Sequence, residues 1–320
     1  MKETKYDITM PFYEIRLSLI GACNQKCFYC GPFTDGKYNK GYERMPITRI
    51  EELAARLGGV IKKNNIHIQL TGGEPMLRKD LPEIVNVLRK FKIKNIGITT
   101  NGSLLNPQIG LKLAENGISD FHIHFPSLDS NIYSKTAGVA ISQRKILDII
   151  NSVKAIKRHG ARVEFNTPVT EINFPAINKL LDFCYDNKIN LKLIEELSFG
   201  KPKVKFNDIK KIFLNWFRAR KLNVPESAIK NRYGIIYQFD SDFFFRIAPV
   251  SSEFQSNIIS TKKKPLLDGR YWIGSHGGEF FYTSSYFLNP IGGDINDLEE
   301  QLKLTICEYN TFFNNSKNEK

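Results

Sequence analysis

The stretch "EIRLSLIGACNQKCFYC", residues 14–30, leads from an apolar strand pattern directly into three of the five cysteines of the chain. Cys23, Cys27 and Cys30 are separated by three residues and then by two. In a parallel α/β sheet the ligands lie at the carboxyl ends of the strands, where the connecting loops begin. The stretch therefore predicts the first strand of such a sheet, with a group of thiols at its carboxyl end.

The alternation of strand and helix patterns continues to about residue 197. The next strand patterns are "HIQL", "NIGITT", "DFHIHF", "RVEFNT" and "NLKLIEEL". The helical patterns between them include "ITRIEELAARLGGVIKK", "DLPEIVNVLRKF", "PQIGLKLAENG", "SQRKILDIINSVKAIKRHG" and "PAINKLLDFCYDNK". Six βα repeats joined by right-handed crossovers predict an α/β fold, a partial (β/α)6 TIM-like barrel.

The sequence pattern changes beyond Gly200. One helix pattern, "NDIKKIFLNWFRAR", is followed by the short aromatic strands "YGIIYQF", "DFFFRIAP", "YWIG" and "EFFYTS", and by a last helix near "DINDLEEQLKLTICEYN". We therefore predict two units: a barrel core over residues 1–200, and a small α+β extension over 201–320 that caps the substrate.

The composition is that of a soluble globular protein, with 42% apolar and 25% charged residues over 320 positions. No cleavable leader and no apolar run long enough to span a membrane is present, so we expect a cytoplasmic protein without a membrane partner. The net charge of +13 comes from lysines spread over nearly every predicted helix. Because no basic surface interleaved with aromatic residues accompanies this charge, we expect no nucleic-acid partner.

The cysteine count decides between two kinds of metal site. A structural zinc ion takes four Cys or His ligands, and the sequence offers no fourth ligand near the three clustered thiols. Cys184 and Cys307 lie in helical patterns, where we expect both to pack in the core. An iron–sulfur cluster held by three thiolates leaves one iron open to bind another molecule. Three thiols therefore favour a catalytic site over a structural zinc site.

Two more motifs follow the next predicted strands, "LTGGEP" at residues 70–75 and "TTNG" at residues 99–102. Their glycines let the backbone approach a ligand closely. Together with the Cys-x3-Cys-x2-Cys spacing and with Tyr29 before the last cysteine, these motifs resemble those of the radical S-adenosylmethionine (radical SAM) superfamily.

The resemblance implies a [4Fe-4S] cluster on Cys23, Cys27 and Cys30, whose open iron binds the amino and carboxylate groups of S-adenosylmethionine. It implies reductive cleavage of S-adenosylmethionine to a 5′-deoxyadenosyl radical, which removes a hydrogen atom from the substrate. An external electron donor such as flavodoxin or ferredoxin would reduce the cluster. The resemblance assigns cofactor binding to Tyr29, Gly72, Gly73, Glu74, Pro75, Thr100, Asn101, His124 and Leu197.

Within the superfamily, the chain is most similar to the GTP 3′,8-cyclase family of molybdenum-cofactor biosynthesis. The cysteines that hold an auxiliary cluster in that family are missing, since Gln255 and Ile258 stand where a pair would fall. Of the basic nucleotide-binding residues, Arg16 is matched. The other two positions hold Gln69 and Glu164, so we expect Arg16, Gln69 and Glu164 to bind a substrate other than a triphosphate, with Glu164 favouring an amine.

The strand "DFHIHF" carries two histidines at positions of the same parity, His122 and His124, which therefore share a face of the sheet. His124 stands where the family has a serine that touches the cofactor. Either ring could simply pack in the interior of the barrel, and either could also transfer a proton near neutral pH. We predict His124, His122 and Glu164 as the catalytic residues.

These observations predict a radical SAM enzyme acting on a small polar substrate, which is an amine-bearing metabolite, a nucleoside or a sugar in a specialised biosynthetic pathway. Three alternatives stay open. They are a maturase that crosslinks or epimerises a ribosomal peptide, a nucleotide cyclase like the GTP 3′,8-cyclases, and a zinc-binding protein without catalysis.

Overall fold

The computed structural model describes residues 14–30, 44–196, 203–223, 229–231, 234–248, 270–276, 279–283, 291–293, 296, 299–300 and 302–303. The strands are β1 (Glu14–Ser18), β2 (His67–Thr71), β3 (Ile96–Thr100), β4 (Asp120–His124), β5 (Arg162–Val169), β6 (Asn190–Glu195), β7 (Ile229–Asn231), β8 (Gly234–Gln238), β9 (Phe244–Ala248), β10 (Arg270–His276), β11 (Glu279–Thr283) and β12 (Ile291–Gly293). The helices are α1 (Ile47–Lys63), α2 (Leu81–Lys90), α3 (Pro107–Glu115), α4 (Ser130–Ala137), α5 (Gln143–Arg158), α6 (Ile177–Asp186) and α7 (Phe206–Ala219).

All these strands belong to one sheet, in the order β12-β11-β10-β1-β2-β3-β4-β5-β6-β9-β8-β7. Strands β1 to β6 pair in parallel with their neighbours in sequence, which confirms the predicted α/β class with its parallel βα repeats. Strands β7 and β12 lie at the two edges of the described sheet, so its ends do not pair with each other and the barrel is partial.

The strands that follow residue 200 extend both edges of the parallel region. Strand β9 pairs in parallel with β6, and β10 pairs in parallel with β1. The division into units at residue 200 stays a prediction, because the hydrogen-bonded ladder continues from β6 into β9 without a break.

The two faces of the parallel sheet differ in polarity, and alternation along each strand produces the difference. On the face covered by helices the side chains are apolar and buried, as with Ile68 and Leu70 on β2, and Phe121 and Ile123 on β4. The opposite face carries polar and charged residues on every strand from β1 to β6. We call this second surface the inner face, since the chain curves around it in a partial barrel.

The helices bury one stripe of residues each, at the spacing that the sequence predicts. Helix α1 buries Ile50, Leu53, Leu57 and Ile61 among others. Cys184 is fully buried in α6, as predicted, whereas Cys307 lies outside the described residues. Within the described ranges, no helix combines the length and the apolar content that crossing a membrane requires.

Helix α4 has no counterpart among the predicted elements. Its start is fixed by Asp129, whose side chain accepts hydrogen bonds from the backbone N–H groups of Asn131 and Ile132. Its end is fixed by Gly138, which adopts φ of 66°. The helix is short, so the spacing of its apolar residues predicts a helix only weakly. The capping residues Asp129 and Gly138 indicate its start and end more clearly.

Candidate active site

The cysteine loop after β1 is held by backbone hydrogen bonds to the loop after β2 and to the end of helix α4. Gly73 N–H donates to the carbonyl of Ile20 at 2.6 Å, and Glu74 N–H donates to that of Ala22 at 2.9 Å. On the other side, Lys26 N–H donates to the carbonyl of Ala137, at the end of α4, at 2.8 Å. The loop after β2 and the end of helix α4 therefore hold the cysteine loop from two sides.

The glycine pair after β2 is required by contact within the chain. A Cβ atom on Gly72, whose φ is 135°, would lie 2.3 Å from the carbonyl oxygen of Ile20. A Cβ atom on Gly73 would lie 2.2 Å from that of Ala22. The sequence argument assigned these glycines to the approach of a ligand. The structure adds a second reason for glycine at these positions, because the cysteine loop itself approaches them closely.

Glu74 is the centre of a buried hydrogen-bond network that joins two of the loops. Its carboxylate accepts from Asn101 N–H at 2.6 Å, from Thr100 Oγ1 at 2.8 Å and from Met76 N–H at 2.9 Å. The Met76 bond caps the short 3-10 helix that begins at Pro75. Burial raises the pKa of Glu74 to about 7. Glu74 thus fixes the loops after β2 and β3 against each other.

Asn101 connects this network to the thiols. Its Nδ2 donates to Asn24 Oδ1 at 2.8 Å and to Cys23 Sγ at 3.6 Å. Cys23 Sγ also accepts from Gln25 N–H at 3.4 Å. Two N–H groups therefore point at one sulfur, an arrangement that stabilises a thiolate and tunes an iron–sulfur cluster.

The three thiols fit the cluster that the resemblance implies. Burial raises the pKa of Cys23, and burial raises the pKa of Cys27 to about 12, so iron must displace protons when it binds. Among the described side chains, no three potential ligands converge on a single metal ion.

Tyr29 lies against His124 beside the cysteine loop. The Tyr29 hydroxyl is 3.0 Å from Nε2 of His124 and 3.3 Å from Nδ1. Tyr133 of α4 donates to the backbone carbonyl of His124 at 2.9 Å. Burial lowers the pKa of His124 to about 4, so the ring is neutral near pH 7. The structure thus brings His124 to the cysteine end of the sheet, as the sequence predicts.

Gln69 lies on the inner face and is fully buried. Both the oxygen and the nitrogen of its side-chain amide have hydrogen-bond partners. Its Oε1 is 2.7 Å from Nε2 of His67, and its Nε2 donates to Thr99 Oγ1 at 2.9 Å. Gly97 leaves room for this pair, because a Cβ there would lie 2.3 Å from Gln69 Oε1. Gln69 is thus part of a cross-strand network rather than a lone side chain.

His122 belongs to a second inner-face network, centred on Asp120. Nε2 of His122 lies 3.3 Å from Asp120 Oδ2, and Arg162 contacts both carboxylate oxygens, at 3.0 and 2.5 Å. Burial would raise the pKa of Asp120, but the attraction of His122 and Arg162 outweighs it and holds the pKa well below its usual range. An ionised carboxylate thus orients the His122 ring.

Glu164 forms an ion pair with Arg246 of β9. One guanidinium nitrogen of Arg246 lies 2.6 and 2.9 Å from the two carboxylate oxygens, and Glu164 is only 2% exposed. Burial opposes ionisation, but Arg246 and then His122 lower the pKa of Glu164. This corrects the reasoning about Glu164, because Arg246 offsets the negative charge that was expected to repel phosphate.

Arg16 is a further predicted residue that the structure places. Arg16 on β1 is paired with Glu14, Nε to Oε1 at 2.5 Å. Leu197 lies outside the described residues, as do Gln255 and Ile258. The assigned roles in binding cofactor and substrate stay predictions.

Sequence reasoning missed several polar residues of the described inner face, among them His67, Asp120, Arg162 and Arg246. The first three stand two residues from a predicted residue on the same strand, so alternation along the strand could have found them. Arg246 was the hardest to find, because β9 follows β6 in the sheet but not in the sequence.

Comparison with known proteins agrees with this geometry. The profile of the Radical SAM superfamily matches residues 17–184, which is more than half of the chain. A probable GTP 3′,8-cyclase of Sulfurisphaera tokodaii is 30% identical over 230 residues, which cover 69% of this chain and 69% of the relative.

Two other relatives differ in how much of their length is matched. The GTP 3′,8-cyclase of Synechocystis sp. is 30% identical over 189 residues, covering 58% of this chain and only 55% of the relative. That of Staphylococcus epidermidis is 29% identical over 325 residues, covering 95% of this chain and 90% of the relative. The chain thus spans little more than half of the Synechocystis protein.

Solved structures share the fold at low sequence identity. SuiB of Streptococcus suis, bound to S-adenosylmethionine, superposes with a TM-score of 0.62 at 17% identity, covering 91% of this chain and 65% of SuiB. The enzyme anSMEcpe with bound AdoMet gives a TM-score of 0.58 at 17% identity, covering 88% of this chain and 77% of that protein. At such identities the likeness extends to the fold alone.

Proposed function

Because this chain belongs to the radical SAM superfamily, we propose that it is an enzyme that removes a hydrogen atom from a small polar substrate. The observation that carries the proposal is the joining of three segments: the thiols after β1, Gly72-Gly73-Glu74 after β2, and Thr100 at the end of β3 with Asn101 after it. The superfamily profile spans all three segments.

The cysteine loop would hold a [4Fe-4S] cluster through Cys23, Cys27 and Cys30. When bound, the cluster supplies the electron that splits the carbon–sulfur bond of S-adenosylmethionine to give a 5′-deoxyadenosyl radical. Asn101 would stabilise the thiolate of Cys23 through its Nδ2–H group. Glu74 would keep the Gly73 and Asn101 backbones in place for the methionine part of the cofactor.

The inner face would receive the substrate. It is lined with polar groups held in networks on Gln69, Asp120 and Glu164, and Asp120 is the first residue of β4. These networks preorganise the surface, so a substrate meets groups that are already oriented. His122 and His124 are the side chains that we assign to proton transfer.

We further propose flavodoxin or ferredoxin as the electron donor and the cytoplasm as the compartment. Both follow from the need for one low-potential electron in each turnover and from the oxygen sensitivity of exposed iron–sulfur clusters.

The test is anaerobic reconstitution with iron and sulfide, reduction by dithionite, and measurement of 5′-deoxyadenosine released from S-adenosylmethionine. We expect a brown protein that releases 5′-deoxyadenosine slowly without substrate. A colourless protein that retains zinc and releases none would show that the alternative without catalysis is correct.

A second candidate, cyclisation of GTP, is favoured by the names of the relatives at about 30% identity. It is opposed by Gln69 and Glu164, which replace two cations and so remove two charge-assisted hydrogen bonds. Each such bond contributes about 1.5 to 3 kcal/mol, so GTP affinity should fall by a factor on the order of a hundred to ten thousand. An anaerobic assay for the cyclised nucleotide separates the two candidates.

A further inference from the structure

Tyr133 of α4 is fully buried, and its hydroxyl lies between the carboxyl ends of two strands. The hydroxyl donates to the backbone carbonyl of His124 at 2.9 Å and lies 3.4 Å from that of Asn101. His124 is the last residue of β4, and Asn101 directly follows β3, the neighbouring strand. A tyrosine hydroxyl has one hydrogen to donate, so His124 is its principal acceptor and Asn101 a weaker second one.

The ring of Tyr133 has packing partners that do not require the hydroxyl. It meets the rings of His124 and Phe125 edge-on, with centroids 6.0 and 5.7 Å away. A phenylalanine ring would make the same contacts. The hydroxyl therefore contributes through its carbonyl partners, which offset the cost of burying a polar group.

Both carbonyl partners belong to residues that contact the cysteine loop. Nδ2 of Asn101 lies 3.6 Å from Cys23 Sγ, and the Asn101 N–H group donates to Glu74 at 2.6 Å. On the other side, Nε2 of His124 lies 3.0 Å from the Tyr29 hydroxyl. The Tyr133 hydroxyl thus connects two residues that reach the cysteine loop at different points.

The helix that carries Tyr133 is anchored to the cysteine loop without the hydroxyl. The carbonyl of Ala137, the last residue of α4, accepts from Lys26 N–H at 2.8 Å. This bond joins backbone groups only, so it does not depend on the side chain of Tyr133. The hydroxyl and the end of the helix therefore do separate work: the helix end holds the thiols, and the hydroxyl holds the ends of β3 and β4.

We propose that the Tyr133 hydroxyl is a positioning group for S-adenosylmethionine, acting through the backbones of Asn101 and His124. The inference rests on the proposed function, in which these two residues bind the cofactor. Without the hydroxyl, cluster assembly is retained, because the bond between Lys26 and Ala137 still holds the cysteine loop. Cofactor affinity falls, because Asn101 and His124 are no longer held at a fixed separation.

Tyr133→Phe is the test variant, since it removes the hydroxyl and keeps the ring. Thr136→Val is the matched control: Thr136 is a fully buried residue of the same helix, and its hydroxyl donates to the Ile132 carbonyl at 2.8 Å. Each variant loses one buried hydrogen bond, so both should lower the midpoint of thermal unfolding by a few degrees. Only Tyr133→Phe releases the two carbonyls at the cysteine end.

The first measurement is equilibrium dialysis of S-adenosylmethionine against the anaerobically reconstituted proteins. We expect the dissociation constant to rise about tenfold in Tyr133→Phe, the effect of one lost hydrogen bond, and to stay at the wild-type value in Thr136→Val. The S-adenosylmethionine concentration that gives half-maximal release of 5′-deoxyadenosine should rise by the same factor. Iron content and the maximal rate of release should stay at wild-type values, a split that general destabilisation would not produce.

The second measurement, hydrogen exchange of the cluster-free protein, needs neither the cluster nor the cofactor. The amide of Asn101 donates to Glu74, and its exchange reports how firmly the end of β3 is held. Exchange at Asn101 should be about tenfold faster in Tyr133→Phe than in the wild type, and unchanged in Thr136→Val.

Four results would overturn the proposal: an unchanged dissociation constant in Tyr133→Phe, an equal rise in both variants, unchanged exchange at Asn101, or loss of iron from Tyr133→Phe. Wild-type protein that neither binds S-adenosylmethionine nor releases 5′-deoxyadenosine would overturn the proposed function. Wild-type binding with no difference between the two variants would overturn this inference alone.

Discussion

The cysteine end of the sheet and its inner face are both polar, but different interactions hold them. At the cysteine end, backbone groups make most of the contacts, as in the bonds from Gly73 and Glu74 to the loop after β1. On the inner face, side chains pair across strands, as Glu164 does with Arg246 and Asp120 with Arg162.

The difference explains which changes in sequence each region tolerates. A site built from backbone contacts depends on glycines and on one buried carboxylate, so its sequence must follow a fixed local pattern. A face built from side-chain pairs can exchange partners while the strands stay in place. The cysteine end therefore suits a common cofactor, and the inner face suits a substrate that differs among relatives.

The largest effect should come from the cysteines, whose loss removes the function of the cysteine end altogether. Replacing Cys27 with alanine should prevent cluster assembly, because two thiolates do not hold a four-iron cluster with an open iron. Iron analysis should fall from about four atoms per chain to about none, and release of 5′-deoxyadenosine should stop.

Cys184→Ala is the control for this variant, since the Cys184 thiol is buried in α6 away from the three clustered thiols. It should keep its iron. An iron content of about eight per wild-type chain would instead reveal a second cluster and contradict the prediction of one.

The next largest effect should come from breaking the ion pair between Glu164 and Arg246 on the inner face. Arg246→Met leaves the Glu164 carboxylate buried without its cation, which should lower the free energy of unfolding by about 4 kcal/mol. The double variant Arg246→Met/Glu164→Met removes both charges and should recover most of that loss. Urea unfolding of the two variants measures the difference, and equal losses in both would show that the pair contributes little.

Local pattern made the cysteine end predictable from the sequence. Three thiols, a glycine pair and "TTNG" each follow a strand, so the order of strands was enough to bring them together. Helix α1 was also predicted at its observed bounds, because its apolar spacing is regular and long. Such features depend on neighbours within a few residues, which a sequence displays directly.

The pairing on the inner face could not be predicted in the same way. Glu164 and Arg246 are 82 residues apart, and their contact depends on β9 joining the edge of β6. The hydrogen bond from Gln69 to Thr99 likewise could not be predicted, because it requires the register of β2 and β3. The alternation of side chains along a strand tells on which face of the sheet a residue lies. Only the order of the strands in the sheet tells which side chain on the next strand it contacts.

A smaller effect concerns pH and the carboxylate at the cysteine end. Burial raises the pKa of Glu74 from 4.5 to about 7, so the folded chain binds this proton more tightly than the unfolded chain does. The resulting stabilisation is complete below pH 4.5 and is lost as the pH rises to about 7, a change of about 3 kcal/mol.

The comparison with Glu74→Gln isolates this contribution, because glutamine does not titrate. Urea unfolding of the cluster-free protein between pH 5 and 8 should show wild-type stability falling relative to the variant as the pH rises. Parallel stability profiles for the two proteins would mean that Glu74 keeps an ordinary pKa.

The smallest effect compares two adjacent threonines, one from each region. Thr99 accepts one hydrogen bond, from Gln69 on the inner face, whereas Thr100 donates to Glu74 at 2.8 Å and accepts from Gly102 N–H at 3.1 Å. Valine has nearly the same shape and lacks the hydroxyl, so Thr99→Val should cost about 1 kcal/mol and Thr100→Val about 2 kcal/mol.

Affinity for S-adenosylmethionine separates the two variants more clearly than stability does. Thr100→Val loosens Glu74, and with it the backbone of Asn101, so the dissociation constant of the reconstituted protein should rise several-fold. Thr99→Val should leave that constant unchanged, since the hydrogen bond that its hydroxyl accepts comes from Gln69 on the inner face. Because the two residues are neighbours on β3, any general weakening of that strand would affect both variants alike. Equal losses of cofactor affinity would therefore show that the two regions are not independent, and that the inner-face pairs also position the cysteine end.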